Sequence, residues 1–106
     1  MKAERTASMI GLAMKAGKVS AGEFVVEKSV KEGRSFLVII AADASDNTKK
    51  KFRDMCAYYE VRTIEAMKKD ELGHAIGREQ RACISINDHG FAEAINKKAK
   101  EQEKTK

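Results

Sequence analysis

The sequence predicts an α/β protein, a three-layer α/β/α sandwich on a mixed sheet of about four strands. Three observations carry this expectation. Apolar residues alternate regularly between a helical and a strand period along the chain. The connections are short and punctuated by glycine, because proline is absent. The chain's 106 residues suit one domain, and 42% of them are hydrophobic, enough for one core. Such alternation puts helices on both faces of a sheet, although it does not fix the strand order.

Each element follows from its own pattern. A first helix is expected over 4–16, closed by Gly17, and "KVSA" (18–21) is a short extended piece. "GEFVVEKSVKEG" (22–33) is the second helix. Its Val26, Ser29 and Val30 share one face, and Gly33 stops it. "SFLVIIAA" (35–42) is too short and too β-rich for a buried helix, so it is a central strand. Asp43 to Asp46 form a turn in which Ser45 caps a helix over 46–60. Phe52, Met55, Cys56 and Tyr59 make one stripe on that helix, which should bury all four against the sheet. "VRTIE" (61–65) alternates like a strand, and 68–77 is a short helix with an awkward Gly73 before Gly77. "ACISIN" (82–87) is a further strand. Asp88 caps a last helix in which Phe91 and Ile95 share a face. One domain is therefore expected over 1–96, and 97–106 is a charged helix end or tail with little to bury.

Composition narrows the function. Lys and Arg number 21 against 16 Asp and Glu, a net charge of +5 that favours acidic partners such as nucleic acid. No stretch is apolar for long enough to span a membrane. "MKAERTASMI" carries Glu4 and lacks an apolar run with a cleavage site, so a signal peptide is not expected. Cys56 and Cys83 fall in no metal or redox motif, and reduced, buried thiols fit a cytoplasmic protein.

Catalytic patterns are missing. "GLAMKAGK" (11–18) is one residue too long for a phosphate loop and lies on a predicted helix. His74 and His89 have no second ligand at metal spacing, and no serine sits in a nucleophile elbow. The expectation is a protein without enzymatic activity, metal or cofactor.

One residue sits where a core-directed pattern would not put it. At about 100° per residue, Phe24 lies roughly 160° from Val26, on the wet face with Lys28 and Lys31.

The alternation, with "SAGEFVVEKSVKEGRSFLVIIAADAS" and "LGHAIGREQRACISI", resembles the kink-turn RNA-binding family of ribosomal proteins, and within it the short bacterial YlxQ-like branch. The resemblance covers about residues 5–95. The family's RNA-reading signature is Gly, a small or polar residue, Asn, Glu, two further residues and Lys, then a helix ending in Arg-Gly. On this chain the Gly falls on Gly22, the Lys on Lys28 and the last Gly on Gly33, while Glu32 replaces the Arg. Phe24 occupies the Asn position and Val25 the Glu position. A second family contact, an apolar loop after the fourth helix, here reads Arg78-Glu-Gln-Arg81.

The resemblance implies a monomeric protein that binds structured RNA, above all ribosomal RNA, through Gly22, Glu23, Phe24, Val25 and Lys28. Phe24 then points outward to stack on a base or wedge against RNA. Packing of its ring on a neighbouring loop is the alternative. Lys28, Lys18, Arg78 and Arg81 would hold phosphates, with Lys31 near the same segment, assisted by the free N–H groups at the start of the second helix. A basic face on "KKKFR" (49–53) is a rival location. A rival function keeps the fold but docks protein, with Phe24 and Val25 as apolar anchors. A third possibility is a substrate-binding domain that works with a separate RNA methyltransferase.

Overall fold

The computed structural model describes residues 2–104. In chain order the elements are α1 (Lys2–Lys15), β1 (Val19–Ala21), α2 (Glu23–Lys31), β2 (Leu37–Ile40), α3 (Asp46–Tyr58), β3 (Arg62–Glu65), α4 (Lys69–Ala75), β4 (Cys83–Ile86) and α5 (His89–Lys104). Type and order agree with the sequence pattern throughout. The second helix is shorter than expected because Gly22 (φ 94°) is its cap rather than its first residue.

The four strands form one mixed sheet in the order β1-β4-β2-β3. β4 runs antiparallel to both β1 and β2, and β2 runs parallel to β3. The central pair, Leu37–Ile40 and Cys83–Ile86, is buried at every position. That explains why these segments read as unbroken apolar runs, since both of their faces are covered.

Alternation along the strands sorts the helices into two layers. Ser20, Val38, Cys83, Ser85 and Glu65 point to the face covered by α2 and α3. The ion pairs of Glu65 with Lys49 (3.4 Å) and Arg53, both on α3, mark that side. Arg62, three residues earlier, reaches Glu93 of α5 (3.6 Å) on the other side, where α5 packs with α1 and α1 with α4. Val26, Ser29 and Val30 are the buried face of α2, as their spacing predicts. Ser29 needs a partner there and has one, the Ser20 hydroxyl at 2.7 Å. Asn87 Nδ2 donates to the same Ser20 oxygen at 2.8 Å. A short polar seam therefore sets how α2 lies on the sheet.

The helix ends obey local chemistry. Ser45 Oγ accepts from the Thr48 N–H at 3.1 Å, and Asp88 Oδ2 from the Phe91 N–H at 2.9 Å. Gly17, Gly33 and Gly77 all take positive φ where α1, α2 and α4 stop, the left-handed turn that favours glycine. Gly73 is explained by packing. A Cβ there would lie 2.1 Å from the Glu79 carbonyl oxygen, because the chain between α4 and β4 crosses directly over it.

One expectation needs correcting. Phe52 and Cys56 are fully buried and Met55 is partly so, but Tyr59 is 40% exposed. Helical periodicity puts Tyr59 on the buried stripe. However, α3 ends at Tyr58, and Tyr59 is its C-cap, no longer held in the helical phase. In the last helix Ala99 is buried, and the helix continues to Lys104. Residues 105–106 of the expected tail lie outside the described residues.

Candidate nucleic-acid interface

The sheet's connections gather at its two ends. Ala21 pairs with Ile84 and Ile40 with Cys83, so the ends of β1 and β2 meet the beginning of β4. The Gly22 N–H donates to the Cys83 carbonyl at 3.3 Å, and the Ala41 N–H to the Ala82 carbonyl at 2.8 Å. The start of α2, the turn before α3 and the loop between α4 and β4 therefore share one end of the molecule. α2 and α3 run parallel, and both begin there.

At this end Gly22 lets the chain turn from strand to helix within one residue. No side chain caps α2, and its first helical hydrogen bond is Val26 N–H to the Gly22 carbonyl at 2.9 Å. The amides of Glu23, Phe24 and Val25 precede that bond and face outward, the geometry that receives an anion. Phe24 is 80% exposed and Val25 42%. The ring does not fold back onto a neighbouring loop. Lys28 is one turn further along, exposed, and no described residue forms an ion pair with it.

The loop of Arg78–Arg81 is anchored by backbone. The Arg78 N–H donates to the Gly73 carbonyl at 2.8 Å and the Arg81 N–H to that of Lys69 at 3.0 Å. Arg78 is exposed. Arg81 is half-buried, and its Nη1 donates to the carbonyls of Glu79 and Gln80, each at 3.0 Å. Its guanidinium therefore braces the loop as well as contributing charge.

Not every basic candidate lies at this end. Lys18 precedes β1, and its carbonyl accepts from the Asn87 N–H at 2.7 Å, which places it at the opposite end of the sheet from Gly22. Lys31 is in the last turn of α2 and is bound to Glu27 at 2.8 Å. That carboxylate, and more weakly the Tyr59 hydroxyl, raise the Lys31 pKa, while Lys31 and Lys51 lower that of Glu27. Each cation of the rival basic face on α3 has a carboxylate partner. Lys50 pairs with Asp54 at 2.9 Å, Lys51 with Glu27 at 3.1 Å, and Lys49 and Arg53 share Glu65.

Tyr58 is a further exposed aromatic, at 80%, that sequence reasoning did not single out. The available signal was its rotation of about 120° from the Phe52–Cys56 stripe. Cys56 and Cys83 are both buried free thiols. Among the described residues no cluster of side chains could hold a metal ion, and no helix is long and apolar enough to cross a membrane.

A four-stranded mixed sheet in this order, between two helices on one face and three on the other, with a bare helix start beside a backbone-anchored loop, defines a small α/β/α sandwich of the ribosomal-protein type. The chain belongs to the ribosomal protein L7Ae/L30e/S12e/Gadd45 family, whose model matches residues 4–96, and the family is non-enzymatic. It is 40% identical over 87 residues to the RNA-binding protein YlxQ of Bacillus subtilis, covering 82% of this chain and 87% of that one. It is 30% identical over 95 residues to the large ribosomal subunit protein eL8 of Thermoplasma volcanium, covering 89% and 78%. A solved Bacillus halodurans protein of unknown function superposes with a TM-score of 0.86 at 35% identity, over 90% of this chain and 96% of that one. The Giardia lamblia 15.5kD RNA binding protein has the same fold, with a TM-score of 0.77 at 22% identity over 96% and 88%.

Proposed function

We propose that this protein binds structured RNA, with ribosomal RNA as its target, through the start of α2 and the neighbouring Arg78–Arg81 loop. The carrying observation is the outward Phe24 at a bare helix N-terminus beside the unpaired Lys28. The names of its relatives, an RNA-binding protein and a ribosomal subunit protein, support the same reading. Lys28 and Arg78 supply charge for phosphates, the free amides of α2 receive another, and Phe24 offers a ring for stacking. Lys31 and Lys18 lie farther away and would contact only an RNA that extends beyond this end.

Crosslinking in cells, followed by sequencing of the bound RNA, tests the target. Recovery of discrete ribosomal RNA segments is expected, and uniform recovery across the transcriptome would overturn the assignment. Lys28→Ala tests the site. It should weaken binding of a recovered segment and lower the salt slope by about one unit, whereas Lys97→Ala on α5 should change little. The exposed pair Phe24 and Val25 also suits a protein contact. An apolar interface of that kind would be nearly insensitive to salt, unlike RNA binding.

A further inference from the structure

The outer surface of the α2–α3 layer carries more than the helix start. Phe24, Lys28 and Lys31 are spaced by four and three residues, so they form one outward ridge along α2. Glu27 ties this ridge to α3 by bonding Lys31 at 2.8 Å and Lys51 at 3.1 Å. Tyr58 follows Lys51 by seven residues, two turns along the same face of α3, so the ridge side of α3 ends at Tyr58 and Tyr59. Tyr59 in turn meets Tyr58 edge to face, with ring centroids 4.9 Å apart at 78°. Tyr58 is 80% exposed, so one face of its ring is open. Arg34, exposed and paired with Glu32 at 3.0 Å, lies just after α2 at the same end. Cationic groups thus lie between aromatic ones at the start of α2 and at the end of α3. The cations suit a phosphate backbone, and the rings suit unpaired bases.

We propose that the α2 ridge and the Tyr58–Tyr59 pair form a track for a single-stranded RNA segment that flanks the structured element held at the start of α2. This rests on the RNA-binding function proposed above and extends it, because the RNA would carry unpaired nucleotides leading away from its folded part. Phe24 and the tyrosine pair hold bases at the two ends of the track. Lys28 and Lys31 carry the phosphates between them. The Glu27 carboxylate keeps Lys31 and Lys51 in place while leaving the outer side of the ridge open.

The chain has no Trp, and Tyr58 and Tyr59 are its two tyrosines, so intrinsic emission reports this patch alone. The probes are a kink-turn stem–loop RNA with blunt ends and the same RNA carrying about six unpaired uridines on either strand. Wild-type protein should bind one extended form about tenfold more tightly than the blunt form, with tyrosine emission quenched only by that extended form. Tyr58→Ala with Tyr59→Ala should abolish the gain and leave blunt binding unchanged. Tyr58→Phe with Tyr59→Phe keeps the rings and should keep the gain. A gain that survives the alanine pair would mean simple charge attraction and overturns the track. Equal affinity for blunt and extended RNAs with no quenching also overturns it, leaving the RNA-binding function intact. Failure to bind any of these RNAs, even at low salt, would overturn the track, while the RNA-binding function stands or falls on the crosslinking recovery. Quenching by a protein partner in place of RNA would reassign the patch to protein.

Discussion

At Phe24 the chain places a ring where its family carries an amide. The ring's exposure was legible in the sequence, because the helical phase alone puts this residue outside, whereas the amide position is what the family resemblance implies. Its consequence for recognition can be measured. Phe24→Asn with Val25→Glu restores groups able to pair with guanine edges, and each good bidentate contact is worth roughly 1–3 kcal/mol in discrimination. The double variant should bind a standard kink-turn RNA at least about tenfold more tightly at fixed salt and Mg²⁺. An unchanged affinity in a folded variant would move the determinant to the Arg78–Arg81 loop. Other residues were not legible. Tyr59 has the phase of a core residue and is exposed because its helix stops short. The division between paired and unpaired lysines was hidden too, since Lys49, Lys50 and Lys51 find their carboxylates on three different elements.

At the scale of elements, α3 has the plainest sequence signature and makes the firmest demand. Phe52 is fully buried beneath it, so Phe52→Ala should cost about 3–5 kcal/mol in a urea melt, whereas a loss well under 1 kcal/mol would mean the helix is turned. Gly73 makes a sharper demand, because backbone rather than a flexible side chain occupies the space a methyl group would need. Gly73→Ala should push the 78–81 loop off α4 and cost about 1–3 kcal/mol. It should also free the Arg78 and Arg81 amides, whose hydrogen exchange would then quicken. Gly73 looked awkward in the sequence because its reason lies six residues further on, in a crossing that local pattern does not encode. Element types followed from periodicity, and the ends followed from Ser45, Asp88 and the stop glycines.

For the molecule as a whole, the layers were legible and the strand order was not. Regular alternation requires a covered sheet, but the antiparallel insertion of β4 between β1 and β2 depends on pairing between distant segments. The same packing buries both thiols between the sheet and α3. Burial pushes the Cys56 pKa up from 9.0 to about 11. Burial also pushes Cys83 up to about 12, with the Glu23 carboxylate and Cys56 adding to the effect. Folding therefore favours the protonated thiols. Their contribution is intact below pH 9 and is lost as pH rises from there toward 11 and 12, because the unfolded chain ionises first. The stability gap between wild type and Cys83→Ala should shrink from pH 8 to pH 10 in parallel urea melts, and a widening gap would contradict the burial. Thiol reagents at pH 8 should leave both cysteines unmodified until the protein unfolds. The parallel course of α2 and α3 has one more effect. Two helix dipoles aim their positive ends at the end where Gly22 and Arg78 stand, so the molecule is electrically polar as well as basic. A polyanion in solution pulls on such a body with a torque before it touches it. The protein arrives already turned, and encounter is fast in dilute salt and slows as counterions close in.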